Sequence, residues 1–171
     1  MSSSAPSRIA DGRPVPSIVT ELPGPKARAH VEFDETWTSP SLPRAYPIVP
    51  VRGDGMTVED IDGNLFLDFA AGIAVNSTGH SHPQVVAAIK EQAAELIHFS
   101  ASDFYLPIYP EVCKELARIA PISGRVRAFL GNSGAEAVEA SIKLARYATH
   151  RPYVVAFLGA LMWVGFQQIW A

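Results

Sequence analysis

Four consecutive residues, Asn132-Ser133-Gly134-Ala135, combine the groups that hold an anion at the start of a helix. They follow a short apolar segment at residues 126–130 and precede a helical pattern over residues 135–149. The first N–H groups of a helix have no partner within it and carry about half a positive charge in total. Gly134 lets a ligand approach the backbone, and Ser133 adds a hydroxyl group. The spacing therefore favours a phosphate site.

The same residues also fit a function that involves no ligand. Ser133 and Glu136 have the spacing of a capping box, in which both side chains bind backbone N–H groups of the helix itself. The segment has neither the Gly-Lys-Ser/Thr of a P-loop nor a GxGxxG fingerprint. Spacing alone leaves phosphate binding and helix capping equally open.

The elements around this turn predict an α/β fold. Residues 126–130 and 152–158 are apolar and strand-like, and the helical pattern between them carries a Glu139–Lys143 pair four residues apart. A strand, a helix and a strand of these lengths form a βαβ unit, with parallel strands and a right-handed crossover. In such a unit the turn from strand to helix is the usual ligand position.

Three further elements are predicted before this unit. Residues 57–61 and 64–69 flank Asp62-Gly63, which predicts a β-hairpin. Pro83 is placed to open a helix, and a second helix is expected at about residues 110–119.

Composition limits the possible functions of the 171 residues, a length that suits one domain. The net charge is −3 and no basic block is present, which argues against nucleic-acid binding. The single cysteine, Cys113, cannot form an internal disulfide, and the first residues lack the apolar core of a signal peptide. We therefore expect a cytoplasmic protein. Residues 1–25, rich in Ser and Pro, are expected to form a poorly ordered arm.

Two long stretches carry a family resemblance. The sequences "DIDGNLFLDFAAGIAVNSTGHSHPQVVAAIKEQ" and "NSGAEAVEASIKLAR" resemble the N-terminal part of the class III aminotransferases, most closely the members that act on 4-aminobutyrate. These are pyridoxal-phosphate enzymes of fold type I, and the similarity extends over about residues 25–160. The resemblance implies an N-terminal small-domain segment and connection at 26–106 and the start of the cofactor-binding large domain at 107–160. It also implies a homodimer that uses an amino acid and a 2-oxo acid.

The resemblance assigns roles to particular residues. Ser133, Gly134 and Ala135 would bind the phosphate of pyridoxal phosphate, and Ile73 would lie beside the substrate pocket as an apolar wall. Phe104 and Tyr105 would border the active site, although packing is the more ordinary use for both rings. The sequence "GHSHP" is a turn of the family, so a metal site at His80 and His82 is not expected.

The resemblance ends near residue 160. An aromatic-His-Gly element is expected there, but Leu161, Met162 and Trp163 occupy its place, and residues 161–171 form a tail unlike the family. The family's cofactor-bonding lysine lies further along; we expect none of the lysines present to replace it, these being Lys26, Lys90, Lys114 and Lys143. We therefore predict no catalytic residue in this chain, which is read as a truncated and inactive portion. Two alternatives stay open: a non-catalytic fragment that pairs with a full-length homologue, and a less favoured membrane-tethered product of the uncharged residues 153–171.

Overall fold

The computed structural model describes residues 8–42 and 44–157. The chain divides into two compact units, Met1–His98 and Phe99–Ala171, and each is described by itself. The first unit contains the helices α1 (Pro25–Trp37), α2 (Ala71–Ala74) and α3 (Pro83–Glu95) and the strands β1 (Pro50–Asp54), β2 (Thr57–Asp60) and β3 (Leu65–Leu67). The second contains α4 (Ile108–Ile119) and α5 (Gly134–Thr149).

The strands of the first unit form an antiparallel sheet in the order β1-β2-β3. Strand β2 pairs with β3 so that Glu59 lies opposite Leu65, which confirms the predicted hairpin around Asp62-Gly63. Strand β1 pairs with β2 and was not predicted from the sequence. Pro50 and Gly53 lower its strand propensity, so its pairing depends on β2 rather than on local preference.

A buried polar network holds the hairpin turn against the residues that precede α1. Asn64 is fully buried, and its side-chain oxygen accepts hydrogen bonds from the N–H groups of Val19 (2.7 Å) and Thr20 (3.0 Å). Its side-chain nitrogen donates to Thr20 Oγ1 (2.9 Å) and Asp60 Oδ2 (2.8 Å). Every polar atom of the Asn64 side chain therefore has a protein partner, as burial requires.

The residues before α1 differ from the poorly ordered arm expected over residues 1–25. Ser17 and Leu65 exchange backbone hydrogen bonds of 2.9 and 2.8 Å, and Arg13 donates to the carbonyl oxygen of Gly63 (2.9 Å). Residues 8–24 are thus tied to the sheet by long-range bonds that a composition rich in Ser and Pro does not reveal. Residues 1–7 lie outside the described range.

The helices of the second unit agree with the predictions, and so does α3. Helix α3 begins at Pro83, α4 spans Ile108–Ile119, and α5 spans Gly134–Thr149. Lys143 Nζ lies 2.7 Å from Glu139 Oε1, which confirms the ion pair expected on α5.

The predicted βαβ unit is wrong in its strands. Residues 126–130 and 152–157 belong to no strand, and residue 158 lies outside the described range. A strand needs a hydrogen-bonded neighbour, and parallel strands are normally buried on both faces. Here the N–H group of Leu130 donates instead to the hydroxyl group of Tyr109 (3.3 Å), and Phe129, Val155 and Phe157 are exposed. The apolar sequence is present without the pairing that would make it a sheet.

The described residues bury little apolar side chain. Three hydrophobic residues among them are buried, Ala10, Ala27 and Leu65, whereas large apolar side chains in both units are exposed. None of the helices seen between residues 8 and 157 is both long and apolar enough to cross a membrane.

Candidate active site

The turn at Ser133 forms the capping arrangement that the spacing allowed. Ser133 is the residue before the first turn of α5, and its Oγ accepts a hydrogen bond from the N–H group of Glu136 (3.2 Å). The Glu136 carboxylate folds back and accepts a hydrogen bond from the N–H group of Asn132 (2.5 Å). Helix capping is therefore present in the chain as it stands.

The same turn still has donors for an anion. The N–H groups of Gly134 and Ala135 donate to no acceptor within residues 8–42 and 44–157, and the hydrogen of the Ser133 hydroxyl group remains available because Oγ acts only as an acceptor towards Glu136. A Cβ atom added at Gly134 would meet nothing within 4 Å, so a ligand can approach the backbone there. These donors begin a helix of 16 residues, whose dipole favours a negative charge.

One group counts against an anion at this turn. The negative charge of Glu136 lies beside Gly131, where a Cβ atom would be 3.3 Å from Glu136 Oε2. It would repel a phosphate group, but water screens this exposed carboxylate, whereas two backbone N–H groups and the Ser133 hydroxyl group would contact the phosphate directly. The residues present therefore fit the phosphate of pyridoxal phosphate at Ser133, Gly134 and Ala135.

The surroundings of the lysines bear on whether this chain could bond covalently with a cofactor. All four lysine side chains are exposed, and Lys143 is paired with Glu139. Lysines that act as nucleophiles are usually desolvated or placed beside another cation, which lowers their pKa. The exposure of these four side chains is the opposite of desolvation.

Ile73 lies in an unusual segment of the first unit. The φ angles of Ala71 (46°), Gly72 (63°), Ile73 (66°) and Ala74 (60°) are all positive, so α2 is one left-handed helical turn. The left-handed region costs roughly 1–2 kcal/mol for each residue that has a Cβ atom. Ile73 is β-branched, which makes its conformation a genuine outlier, and its side chain is 91% exposed. Such strain is concentrated at functional sites.

The strained turn is bounded by hydrogen bonds to Asp68. Asp68 Oδ1 accepts hydrogen bonds from the N–H groups of Ala70 (2.8 Å) and Ala71 (2.9 Å), while Oδ2 lies 2.7 Å from His80 Nε2. The His80 bond, followed by those of Ala71 and Ala70, holds the pKa of Asp68 below its ordinary value of 3.8. Asp68 is therefore a carboxylate at neutral pH, with both oxygens engaged.

A cavity of about 830 Å³ lies beside this turn within the first unit. Its walls are mostly apolar and include Tyr46, Val51, Phe66, Phe69, Gly72 and His80. An apolar cavity with few polar groups is the usual form of a small-molecule site. It adjoins the segment in which Ile73 lies.

The remaining candidate residues from the sequence are Phe104, Tyr105 and His80. Phe104 packs against Phe99 with their ring centroids 4.8 Å apart, and Tyr105 is fully exposed. His80 is bonded to Asp68 rather than clustered with ligands, and no group of three or more His, Cys, Asp or Glu side chains could hold a metal ion among the residues the structure describes.

Sequence reasoning missed Asp68 as part of the site. Asp68 stands two residues before Ala70, the spacing of an Asx turn, which is the one local signal available for it. Its bond to His80, twelve residues away, has no signature in the sequence.

Comparison with known proteins reveals similarity along most of the chain. The family model "Aminotransferase class-III" matches residues 40–162. The chain is 42% identical over 140 residues to the 4-aminobutyrate aminotransferase of Mycobacterium tuberculosis, covering 82% of the chain and 31% of the relative. It is 38% identical over 146 residues to the alanine/serine racemase of Pyrococcus horikoshii, covering 85% and 31%. The chain thus spans about a third of the length of these relatives.

Solved structures are similar as well. An omega-transaminase from Sphaerobacter thermophilus superposes with a TM-score of 0.68 at 28% identity, over 77% of this chain and 30% of that one. The acetylornithine aminotransferase of Elizabethkingia anophelis gives a TM-score of 0.64 at 31% identity, over 74% and 30%. The predicted fold, the N-terminal part of a pyridoxal-phosphate-dependent aminotransferase, is confirmed as a mixed α/β portion of these structures.

Proposed function

Because the chain belongs to the class III aminotransferase family, we propose that it provides the phosphate-binding turn and part of the substrate wall of such an enzyme. The parent reaction passes an amino group from an ω-amino acid, such as 4-aminobutyrate, to a 2-oxo acid. Pyridoxal phosphate is the cofactor of the family, and when bound it supplies an aromatic ring that accepts electrons from the carbon bearing the substrate's amino group.

The open N–H groups at the start of α5 carry this proposal. Ser133, Gly134 and Ala135 bind the phosphate group through one hydroxyl and the exposed backbone donors, and the bonds orient the cofactor without contributing to proton transfer. The turn at Ile73 presents an apolar side chain to the aliphatic part of an amino acid.

The choice of 4-aminobutyrate as the substrate rests on similarity to relatives of that name and is more specific than the family itself. The relatives named above include an aminotransferase for 4-aminobutyrate and a racemase for alanine and serine. Their names give different substrates, although this chain matches about a third of the length of each, so the similarity supports the family more strongly than the substrate. We keep an ω-amino acid as the donor because five similar relatives carry the 4-aminobutyrate aminotransferase name, one of them as a probable assignment.

The chain alone is proposed to be inactive, since none of its lysines has the surroundings of a cofactor-bonding residue. Mixing it with pyridoxal phosphate, 4-aminobutyrate and 2-oxoglutarate should produce no glutamate. Formation of glutamate above the level of an identical mixture without the chain would contradict this expectation.

Phosphate recognition is tested with a ligand that cannot condense with lysine. Binding of pyridoxine 5′-phosphate and of pyridoxine is compared by isothermal titration calorimetry. We expect the phosphate ester alone to bind, and Ser133→Ala to weaken it by about tenfold or more, through loss of one charge-assisted hydrogen bond. Ser141→Ala is the matched control, because Ser141 Oγ donates to the carbonyl oxygen of Val138 away from the turn. Equal binding of both ligands, or equal effects of both substitutions, would refute the proposed role.

A second function is supported by the exposed apolar side chains of the second unit. Tyr153, Val155 and Phe157 are each at least 90% exposed. A non-catalytic chain that pairs with a full-length homologue would cover such a surface. Co-purification of a tagged full-length homologue with this chain, lost when Val155 and Phe157 are both changed to Ser, would favour this second function.

A further inference from the structure

We infer that Asp68, His80 and Asn76 form a clamp that holds the left-handed turn of α2 and so positions Ile73. Three observations carry this inference: the placement of the three side chains on both sides of the turn, the attachment of His80 to the sheet, and the strain that the turn stores. The inference deepens the proposed function and depends on it for the meaning of Ile73 as a substrate wall.

The clamp begins on the near side of the turn. Both oxygens of the Asp68 carboxylate are engaged, Oδ1 by the N–H groups of Ala70 and Ala71 and Oδ2 by His80. The N–H group of Asp68 in turn donates to the carbonyl oxygen of Met56 (2.8 Å). Asp68 thus links the sheet to the first two residues that enter the turn.

The clamp closes on the far side at Asn76. The N–H group of Asn76 donates to the carbonyl oxygen of Ala71 (2.8 Å) and ends the turn, while its side-chain amide lies 3.0 Å from His80 Nδ1. With the amide rotated by half a turn, its oxygen accepts from His80 Nδ1 and from the N–H group of His80 (3.3 Å), and its nitrogen donates to Gly79 (3.2 Å). One imidazole ring therefore bridges the residues before and after the turn.

His80 is itself fixed to the hairpin between β1 and β2. Its backbone exchanges hydrogen bonds of 2.9 and 2.8 Å with Gly55, and its ring covers Gly53, where a Cβ atom would lie 2.6 Å from His80 Cγ. The side chains of Asp68 and His80 are 16% and 29% exposed, so their bond is partly shielded from water. The ring has little freedom to leave the clamp.

The strain explains why a clamp is needed. Ala71, Ile73 and Ala74 all hold positive φ angles that residues with a Cβ atom disfavour, and the side chain of Ile73 is exposed. Packing of Ile73 therefore does not hold this conformation. A strained backbone persists only when its surroundings fix it, and here the fixing contacts are those of Asp68, His80 and Asn76.

The test measures the turn directly, in the chain without cofactor. The amides of Ala74, Val75 and Asn76 close the turn by hydrogen bonds of 2.8–2.9 Å, and the amide of Leu65 reports on the sheet. In His80→Gln and Asp68→Asn, we expect hydrogen exchange of the three turn amides to accelerate by about tenfold or more relative to Leu65. The strong intraresidue amide-to-Hα nuclear Overhauser effect of Ile73, a mark of positive φ, should weaken. His98→Gln is the matched control in the same unit.

A rescue variant separates positioning from general stability. Glycine adopts positive φ without cost, so Ala74→Gly added to His80→Gln should restore much of the protection of the turn. Unchanged exchange in His80→Gln, equal acceleration at Leu65, or no rescue by Ala74→Gly would each overturn the clamp. Because no cofactor is present, this outcome is independent of whether Ser133 binds phosphate.

Discussion

Asp62 caps helix α1 from the other side of the hairpin: its Oδ2 atom accepts a hydrogen bond from the N–H group of Ala27 (2.8 Å), 35 residues earlier in the chain. Its Oδ1 atom accepts one from the N–H group of Lys26 (2.9 Å). The residue at the usual capping position is Gly24, which offers no side chain, and a Cβ atom there would lie 2.3 Å from Asp62 Cγ. The turn of the hairpin therefore supplies the cap that the helix lacks.

Asp62→Ala should lower the free energy of unfolding by about 1 kcal/mol, the usual cost of losing a helix cap. The reason is that the first N–H groups of α1 lose both acceptors. The measurement is urea denaturation followed by circular dichroism. Glu21→Ala is the control, because no side-chain bond of Glu21 is seen between residues 8 and 157. Equal loss in both variants would contradict the assignment of Asp62 as the cap.

Asn64→Ala should cost more, about 2–4 kcal/mol, because it leaves a buried carboxylate oxygen and two partly buried N–H groups without partners. Val19, Thr20 and Asp60 would each lose a hydrogen-bond partner. The same denaturation experiment measures the change. Asn132→Ala, at an exposed position, should have a much smaller effect. A loss below that of Asp62→Ala would show that water replaces the network.

The stability of the first unit should depend on Asp68 at acid pH. The pKa of Asp68 is lower in the folded chain than its ordinary value of 3.8. The ionised carboxylate therefore stabilises the folded state fully above pH 3.8, and this stabilisation is lost as the pH falls through the lower pKa of the folded state. Thermal unfolding followed across this range should therefore give a shallower acid dependence for Asp68→Asn than for the original chain. Asp11→Asn is the control for removal of one carboxylate, because no side-chain bond of Asp11 is seen in the described part of the chain. A dependence unaltered by Asp68→Asn would be contrary to this expectation.

Gly53→Ala should destabilise the first unit by about 1–3 kcal/mol, as overpacking does. The added Cβ atom would lie 2.6–3.0 Å from ring and Cβ atoms of His80, which are not the free end of a flexible side chain. Gly134→Ala is the control and should not destabilise the chain. Its added Cβ atom would meet nothing within 4 Å, and alanine favours a helix. Melting temperatures distinguish the two, and a neutral Gly53→Ala would mean that the ring moves without cost.

Glu136→Gln should have opposite effects on stability and on anion binding. It removes a negative charge from the first turn of α5, so the affinity for pyridoxine 5′-phosphate should rise by about two- to fivefold. The helix should become slightly less stable, since it loses the favourable interaction of that charge with its dipole. Calorimetry and thermal unfolding measure the two quantities. A fall in affinity would mean that Glu136 organises the turn for the ligand.

Local patterns were sufficient to predict α3, α4, α5 and the β2–β3 hairpin, whereas α1 and α2 were not predicted. Pro83 at the start of α3 and the Asp62-Gly63 turn are signals contained within a few residues. The polar network of Asn64 was not predictable, because its partners at Val19 and Thr20 are about 45 residues away. The left-handed turn had no signature either, since Ala71, Ile73 and Ala74 ordinarily avoid positive φ.

The turn at Ser133 shows a different limit of prediction from sequence. Its sequence predicted both helix capping and phosphate binding, and the hydrogen bonds of Ser133 realise the first while leaving donors for the second. The proposed phosphate site would use the donors that capping leaves free in the same residues. The apolar segment at residues 126–130 predicted a strand, but a strand depends on a neighbour that local sequence cannot specify.

The network around Asn64 has a practical consequence for shortening the protein. A version that started at Arg28 would retain all three strands and every residue of the β2–β3 turn. It would nevertheless expose Leu65. The amide oxygen of Asn64 and the carboxylate of Asp62 would lose their hydrogen-bond partners, which lie at residues 17–27. Trimming from the amino end is therefore expected to unravel a sheet from which no strand has been removed.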